Sequence, residues 1–194
     1  IAALARATAE SGTWNVPTAV LIEDRINAVP VPELRARPGM QFMPRDTVDR
    51  GGAAKETLLA EHDFDPDVAA LAIELRRHRS LELHKAGAGL LLGADSPQVF
   101  NVPGFSLHKE LGVLVAAGLT PYEALRTGTA SVAEYHGSNT GIVAVGRRAD
   151  LVLLDANPLA DVRLAQRIHG VALRGVWYSS DALSHRLSRY VEGD

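Results

Sequence analysis

Cysteine is absent from the 194 residues. There is therefore no disulfide framework and no thiolate metal site, which fits a reducing compartment and leads to the expectation of a cytoplasmic protein. Any metal must be held by histidine and carboxylate side chains. The sequence also lacks an apolar run of membrane-spanning length and the basic, apolar and small-residue order of a signal peptide, so no membrane association is expected. An excess of one charge is missing too. A net charge of −3 and a pI near 6.2 give no electrostatic reason to expect nucleic acid as a partner. The one basic run, Arg76, Arg77, His78 and Arg79, falls inside a helical pattern and reads as a solvated helix face.

Several catalytic signatures are absent as well. The seven histidines (His62, His78, His84, His108, His136, His169 and His185) form no His-x-His or His-Glu-x-x-His pair, so no single element offers two imidazoles to one metal. No Gly-x-Ser-x-Gly elbow is present, and neither Ser96 nor Ser106 has a recognisable base partner, which argues against a serine nucleophile. Gly87, Gly89 and Gly93 precede and punctuate a strand, whereas a dinucleotide loop follows one and opens a helix.

What is present is a hydrophobic content of 46%, enough for a packed core, in a length that suits one ordinary domain or pieces of two. The chain begins Ile1-Ala-Ala-Leu-Ala, without methionine and already at helical spacing, and the expectation is that the polypeptide continues upstream. Residues 1–11 read as a helix closed by Gly12, and Thr13 to Val20 as a strand ending near Pro17. A helix starts at about Ile22. Residues 28–52, with Pro30, Pro32, Pro38 and Pro44, read as an irregular excursion of the kind that forms lids or binding loops. Asp65-Pro66-Asp67 opens a helix that runs to about Lys85. Ser106 is placed as the N-cap of a helix ending at Gly118, and Thr120-Pro-Tyr-Glu123 as a capping box, with a further helix from Ala130 to about Tyr135. Beyond Gly141 the character changes. Residues 141–155 read as a hairpin turning at Gly146–Arg148, Val171 to Tyr178 as more strand, and Asp181 to Val191 as an amphipathic helix.

The stretch Leu90-Leu-Leu-Gly-Ala-Asp95-Ser-Pro97 is the candidate centre. Its apolar run reads as a strand buried on both faces, and Asp95 sits just past the C-terminal end, where α/β folds gather ligands and catalytic groups. Such a carboxylate serves a metal or a basic partner, or it is a turn aspartate of the Asp-Ser-Pro type; the residues alone leave both readings open. His108 falls in the first turn of the helix leaving the same loop and could face the same site, although a structural or solvent role is the ordinary one for such a histidine.

Taken together, Gly93-Ala-Asp95-Ser-Pro, Pro103-Gly-Phe-Ser-Leu-His-Lys-Glu-Leu111, Ala117-Gly-Leu-Thr-Pro-Tyr-Glu-Ala-Leu125 and Gly141-Ile-Val-Ala-Val-Gly-Arg-Arg-Ala-Asp-Leu-Val-Leu-Leu-Asp155 resemble the C-terminal part of the amidohydrolase superfamily, in its imidazolonepropionase-like and Xaa-Pro dipeptidase-like branch. The likeness runs to about residue 180, with Trp14 to Thr18 resembling the seventh barrel strand. It implies an α/β fold: the last strands and helices of a (β/α)8 TIM-type barrel over residues 1–136, then part of a small β-sandwich with a C-terminal helix over 137–194. It also implies a metal-dependent hydrolase of C–N bonds, with one or two divalent ions, zinc being expected, and Asp95 as both metal ligand and catalytic base. Ser96 and His108 join as substrate-binding candidates, and the substrate as a small or dipeptide-like molecule. The family's other ligands have no match here. They are expected upstream of Ile1, on a missing N-terminal half that would act as partner, so the 194 residues alone are expected to be inactive and to expose apolar surface meant for that half. A homo-oligomer is an allowed assembly. The rival reading is a non-catalytic binding or structural module on an amidohydrolase-like frame, and a third is a small hydrolase that pairs Asp95 with His108.

Overall fold

Alanine-rich residues with little side-chain entropy to lose form α1 (Ala2–Glu10), and Gly12, in the left-handed region, ends it as the spacing predicts. The computed structural model describes residues 1–191. After α1 the chain runs extended through Asn15 and then coils into α2 (Ala19–Ile26). The expected strand over 13–20 is thus replaced by a single parallel bridge between Asn15 and Leu90, and its last residues are helical. The reason lies far away in sequence: the Glu110 carboxylate accepts the backbone N–H groups of Ala19 at 2.9 Å and Val20 at 2.8 Å, which satisfies a helix start that no local residue caps.

The excursion over 28–52 is mostly helical rather than irregular. It holds α3 (Val31–Arg35), a 3₁₀ turn at Met40–Phe42 and the start of α4 (Arg45–Ala60). Its prolines sit where helices tolerate them, Pro32 inside the first turn of α3 and Pro44 just ahead of α4. Phe100 and Val102 pack with Val31, Leu34, Met40 and Met43 into a small core that fastens this region to the segment following Asp95. Helix α5 (Pro66–Lys85) starts where expected, with Asp65 accepting from the N–H groups of Asp67 and Val68.

Leu90, only 4% exposed, lies in the main core with Ala5, Leu83, Leu111, Leu114, Leu119 and Ala124. Those residues come from α1, α5, α6 (Phe105–Ala116), α7 (Pro121–Thr127) and, for Leu119, the turn between the last two, so the extended segment through Leu90 is the element they all cover. Helix α8 (Ala130–His136) follows. The capping box of α7 is present in full, with Thr120 and Glu123 bonding each other's backbone.

A three-stranded antiparallel sheet comes next, β1 (Leu151–Leu154), β2 (Ile168–Leu173) and β3 (Val176–Ser179), in the order β1-β2-β3, with a 3₁₀ turn at Val162–Gln166 between the first two. The β2–β3 hairpin turns at Arg174–Gly175, both at positive φ. The hairpin expected over 141–155 is not formed. Only its second half is strand, and β1 pairs with β2 instead, Leu151 opposite Ala172. Residues 141–150 fold back on Asn139, whose side-chain N–H donates to the Gly146 carbonyl while its backbone carbonyl accepts from Arg148 N–H. A second sheet that would complete a sandwich is not formed among the described residues. Helix α9 (Ser180–Ser188) closes the described chain, capped by Ser179. The architecture is mixed α/β, and no helix among the described residues is long and apolar enough to cross a membrane.

Candidate active site

The extended segment before Asp95 is held from both sides. Asn15 N–H donates to the Gly89 carbonyl at 2.8 Å and Leu91 N–H to the Asn15 carbonyl at 2.9 Å, a parallel ladder of one rung, while Leu92 N–H reaches the Thr127 carbonyl at 3.0 Å. Gly89 is required here: a Cβ on it would lie 2.4 Å from the Trp14 indole, which covers that backbone. Leu90 is buried, but Leu91 and Leu92 are only half-buried, which corrects the expectation of a strand enclosed on both faces. With one partner strand and one carbonyl contact beside it, the segment has too few neighbours to be covered throughout.

At its end Ala94 is buried and Asp95 is exposed, in the left-handed region at φ +52°. The Asp95 carboxylate is not bare, since Gln98 Nε2 donates to its Oδ2 at 2.7 Å. Asn101, wholly buried, donates its side-chain N–H to the Ala94 carbonyl. Gln98 and Asn101 also exchange backbone hydrogen bonds, Asn101 N–H to Gln98 carbonyl at 2.8 Å and the reverse at 3.3 Å. The turn between them projects Phe100 into the small core and lays Val99 on α4, where a Cβ at Gly51 would stand 2.6 Å from the Val99 side chain.

Ser96 is half-buried beside Asp95, ahead of a cis bond to Pro97. His108 is half-buried on α6. Among the described residues its buried Nδ1 has no hydrogen-bond partner, and desolvation lowers its pKa from the ordinary histidine value, which favours the neutral ring. Among the described residues no hydrogen bond joins His108 to Asp95 or Ser96. Ser106 is not the N-cap. Gly104 holds that place, and the buried Ser106 hydroxyl accepts Val102 N–H at 2.8 Å, fixing the loop's return into α6.

A second polar cluster, which the sequence did not reveal, lies where α2 meets α4, α5 and α6. Arg77 clasps Glu23 through two hydrogen bonds of 2.8 and 2.6 Å, and Asp24 receives Arg37 and Lys109. The Lys55 ammonium donates to the Asp24 carbonyl at 3.0 Å and to the Asn27 side chain at 2.9 Å, closing the C-terminal end of α2, and burial lowers its pKa. Burial likewise raises the pKa of Glu110, against the two N–H groups it accepts. These groups organise α2; their only signal in the sequence is charged residues scattered over α2, α4, α5, α6 and the turn at Arg37.

The donor chemistry at Asp95 suits one ligand of a hard or borderline divalent ion, but one carboxylate falls short of the three protein ligands a catalytic zinc needs. Among the described residues no three histidine, aspartate or glutamate side chains converge on a common point. What Asp95 offers by itself is an exposed carboxylate with Oδ2 held by Gln98 and, among the described residues, no partner on Oδ1.

The sequence model of the amidohydrolase family matches residues 4–178. No curated protein matches the sequence. Among solved structures, a bottromycin amidohydrolase is similar with a TM-score of 0.74 at 27% identity, over 94% of this chain and 40% of its own. A candidate prolidase from Bifidobacterium longum gives 0.57 at 26% identity, over 91% of this chain and 40% of its own. A prolidase complexed with N-methylphosphonate-L-proline gives 0.53 at 25% identity, over 92% and 38%. The chain therefore spans about two-fifths of the length of these structures.

Proposed function

Because this chain belongs to the amidohydrolase family, we propose that it forms the closing part of the active site of a metal-dependent hydrolase that cleaves a C–N bond, with Asp95 as a metal ligand and catalytic base. The observation that supports this reading is an exposed carboxylate just after an extended segment whose Leu90 forms a parallel bridge to Asn15, an arrangement that fits the strand ends where barrel enzymes keep their chemistry. In this reading Asp95 takes a proton from the water as the water oxygen bonds to the carbonyl carbon, and then returns that proton to the nitrogen as the C–N bond breaks and the amine leaves. A divalent ion, zinc being the expectation, supplies Lewis acidity to the carbonyl and a lowered pKa for water when bound. The ligands beyond Asp95 come, on this proposal, from parts of the fold that the longer relatives contain and residues 1–191 do not. Residues 1–136 then belong to a (β/α)8 barrel and the sheet of β1 to β3 to a sandwich beside it.

The substrate class we propose is a small amide or dipeptide-like molecule, including a peptide bond to proline; relatives at 25–27% identity that act as an amidohydrolase and a prolidase support it. Ser96, beside the base, and His108, with its unpartnered Nδ1, are the proposed substrate contacts. The test is hydrolysis of a panel of Xaa-Pro dipeptides, other dipeptides and cyclic amides by the active protein that contains these residues, before and after chelation. Turnover that is lost with chelator and restored by zinc supports the reading. Turnover indifferent to chelation removes the metal from it.

A further inference from the structure

The loop from Ala94 to Asn101 is built so that one carboxylate oxygen is held and the other is presented. Gln98 Nε2 donates to Asp95 Oδ2 at 2.7 Å, and among the described residues no other hydrogen bond or ion pair reaches that carboxylate. Gln98 is itself exposed, so its contact is not forced by packing around its own side chain. Its backbone is fixed from the other direction, by the reciprocal hydrogen bonds with Asn101 and by Phe100, 2% exposed, anchored among Val31, Leu34, Met40 and Met43. Asn101 then pins the carbonyl of Ala94, the residue before Asp95, and so holds a backbone that takes up the left-handed region at a non-glycine position.

Resting on the catalytic reading of Asp95 above, we propose that Gln98 is a positioning residue that fixes the Asp95 carboxylate through Oδ2 and directs Oδ1 at the reacting atoms, with Asn101 clamping the backbone behind it. The bond restricts rotation about the terminal torsion of Asp95, so the free oxygen points one way at no cost when substrate arrives.

The experiment compares Gln98→Leu, Gln98→His and Asp95→Asn in the active protein that contains these residues. The histidine keeps an Nε2 donor at nearly the reach of the glutamine amide. The expected result is a fall in kcat of about 10- to 100-fold for Gln98→Leu with KM unchanged, the range found for groups that orient a ligand or base, and recovery of most of it in Gln98→His. A second readout needs no turnover. In proton–nitrogen spectra of this chain the Gln98 side-chain amide should be shifted and slow to exchange, and should collapse to a solvent-like pair in Asp95→Ala. Gln98→Leu within twofold of the parent, with Asp95→Asn inactive, overturns the positioning role and leaves the catalytic reading standing. A raised KM without rescue by histidine also overturns it and moves Gln98 to substrate binding. Full turnover in Asp95→Asn overturns the catalytic reading, and the positioning role with it.

Discussion

Glu110, fully buried on α6, accepts the backbone N–H of Val20 at 2.8 Å across a sequence separation of 90 residues, and by doing so ties the helix that leaves one extended segment to the helix that leaves the Asp95 loop. The same carboxylate takes the Ala19 N–H. Removing it leaves two buried donors without acceptors, each costing about 1–3 kcal/mol. Glu110→Ala should therefore lower stability by about 2–6 kcal/mol, and Glu110→Gln, which keeps one carbonyl oxygen, by less. Chemical denaturation of both variants checks this. A loss below about 0.5 kcal/mol in the alanine variant would show that water serves these amides as well as Glu110 does.

Glu123 supplies a pH dependence of known sign. The Thr120 backbone N–H first, then the Thr120 hydroxyl and the His84 imidazole, pull its pKa from 4.5 down to about 2. A carboxylate depressed in the folded state stabilises above its unfolded value, and that contribution disappears as pH falls from about 4.5 towards about 2. The site is open to water, so the effect at neutral pH is discounted to about 1 kcal/mol, the usual worth of a cap. Glu123→Ala should be less stable than the parent by that amount at pH 7. Thermal unfolding at a series of pH values should show the gap closing below pH 4.5.

His108 carries the opposite chemistry with the same direction of effect. Burial lowers its pKa, so the folded protein prefers the neutral ring. The associated stability is present above the ordinary histidine value of about 6.5 and is lost as pH falls through it to the lower folded value. His108→Gln should flatten the stability profile on that acidic side while leaving the far-ultraviolet spectrum unchanged. In the active protein the same variant should raise KM more than it lowers kcat. An unchanged KM would remove His108 from the substrate contacts.

What the sequence made legible and what it hid divide by distance along the chain. The caps at Asp65 and Thr120 and the helix stop at Gly12 are local chemistry, readable within four residues, and they stand where the spacing places them. The extended run ending at Asp95 was legible for the same reason, as apolar residues between two glycines. The start of α2 was not, because its cap comes from Glu110 on another helix, and a Thr-Ala-Val run next to a proline reads locally as strand. The pairing of β1 was hidden because register depends on the distant β2, while Gly146 suggested a nearer turn. At the site, Asp95 is a charge that demands a partner, but Gln98 and Asn101 are uncharged polar residues in a loop, and only the fold shows that one touches the carboxylate and the other its backbone.

The proposed role of Asp95 as the base of a C–N hydrolase rests on one carboxylate, so the decisive measurement is kcat of Asp95→Asn in the active protein, with substrate saturating and unfolding checked in parallel. Asparagine keeps the shape and the hydrogen bond to Gln98 but cannot take the proton. The account predicts a fall of at least about 100-fold, the lower end of what general acid–base catalysis contributes, with the melting temperature within a few degrees of the parent. Turnover within a few-fold of the parent would contradict it and leave Asp95 a turn residue.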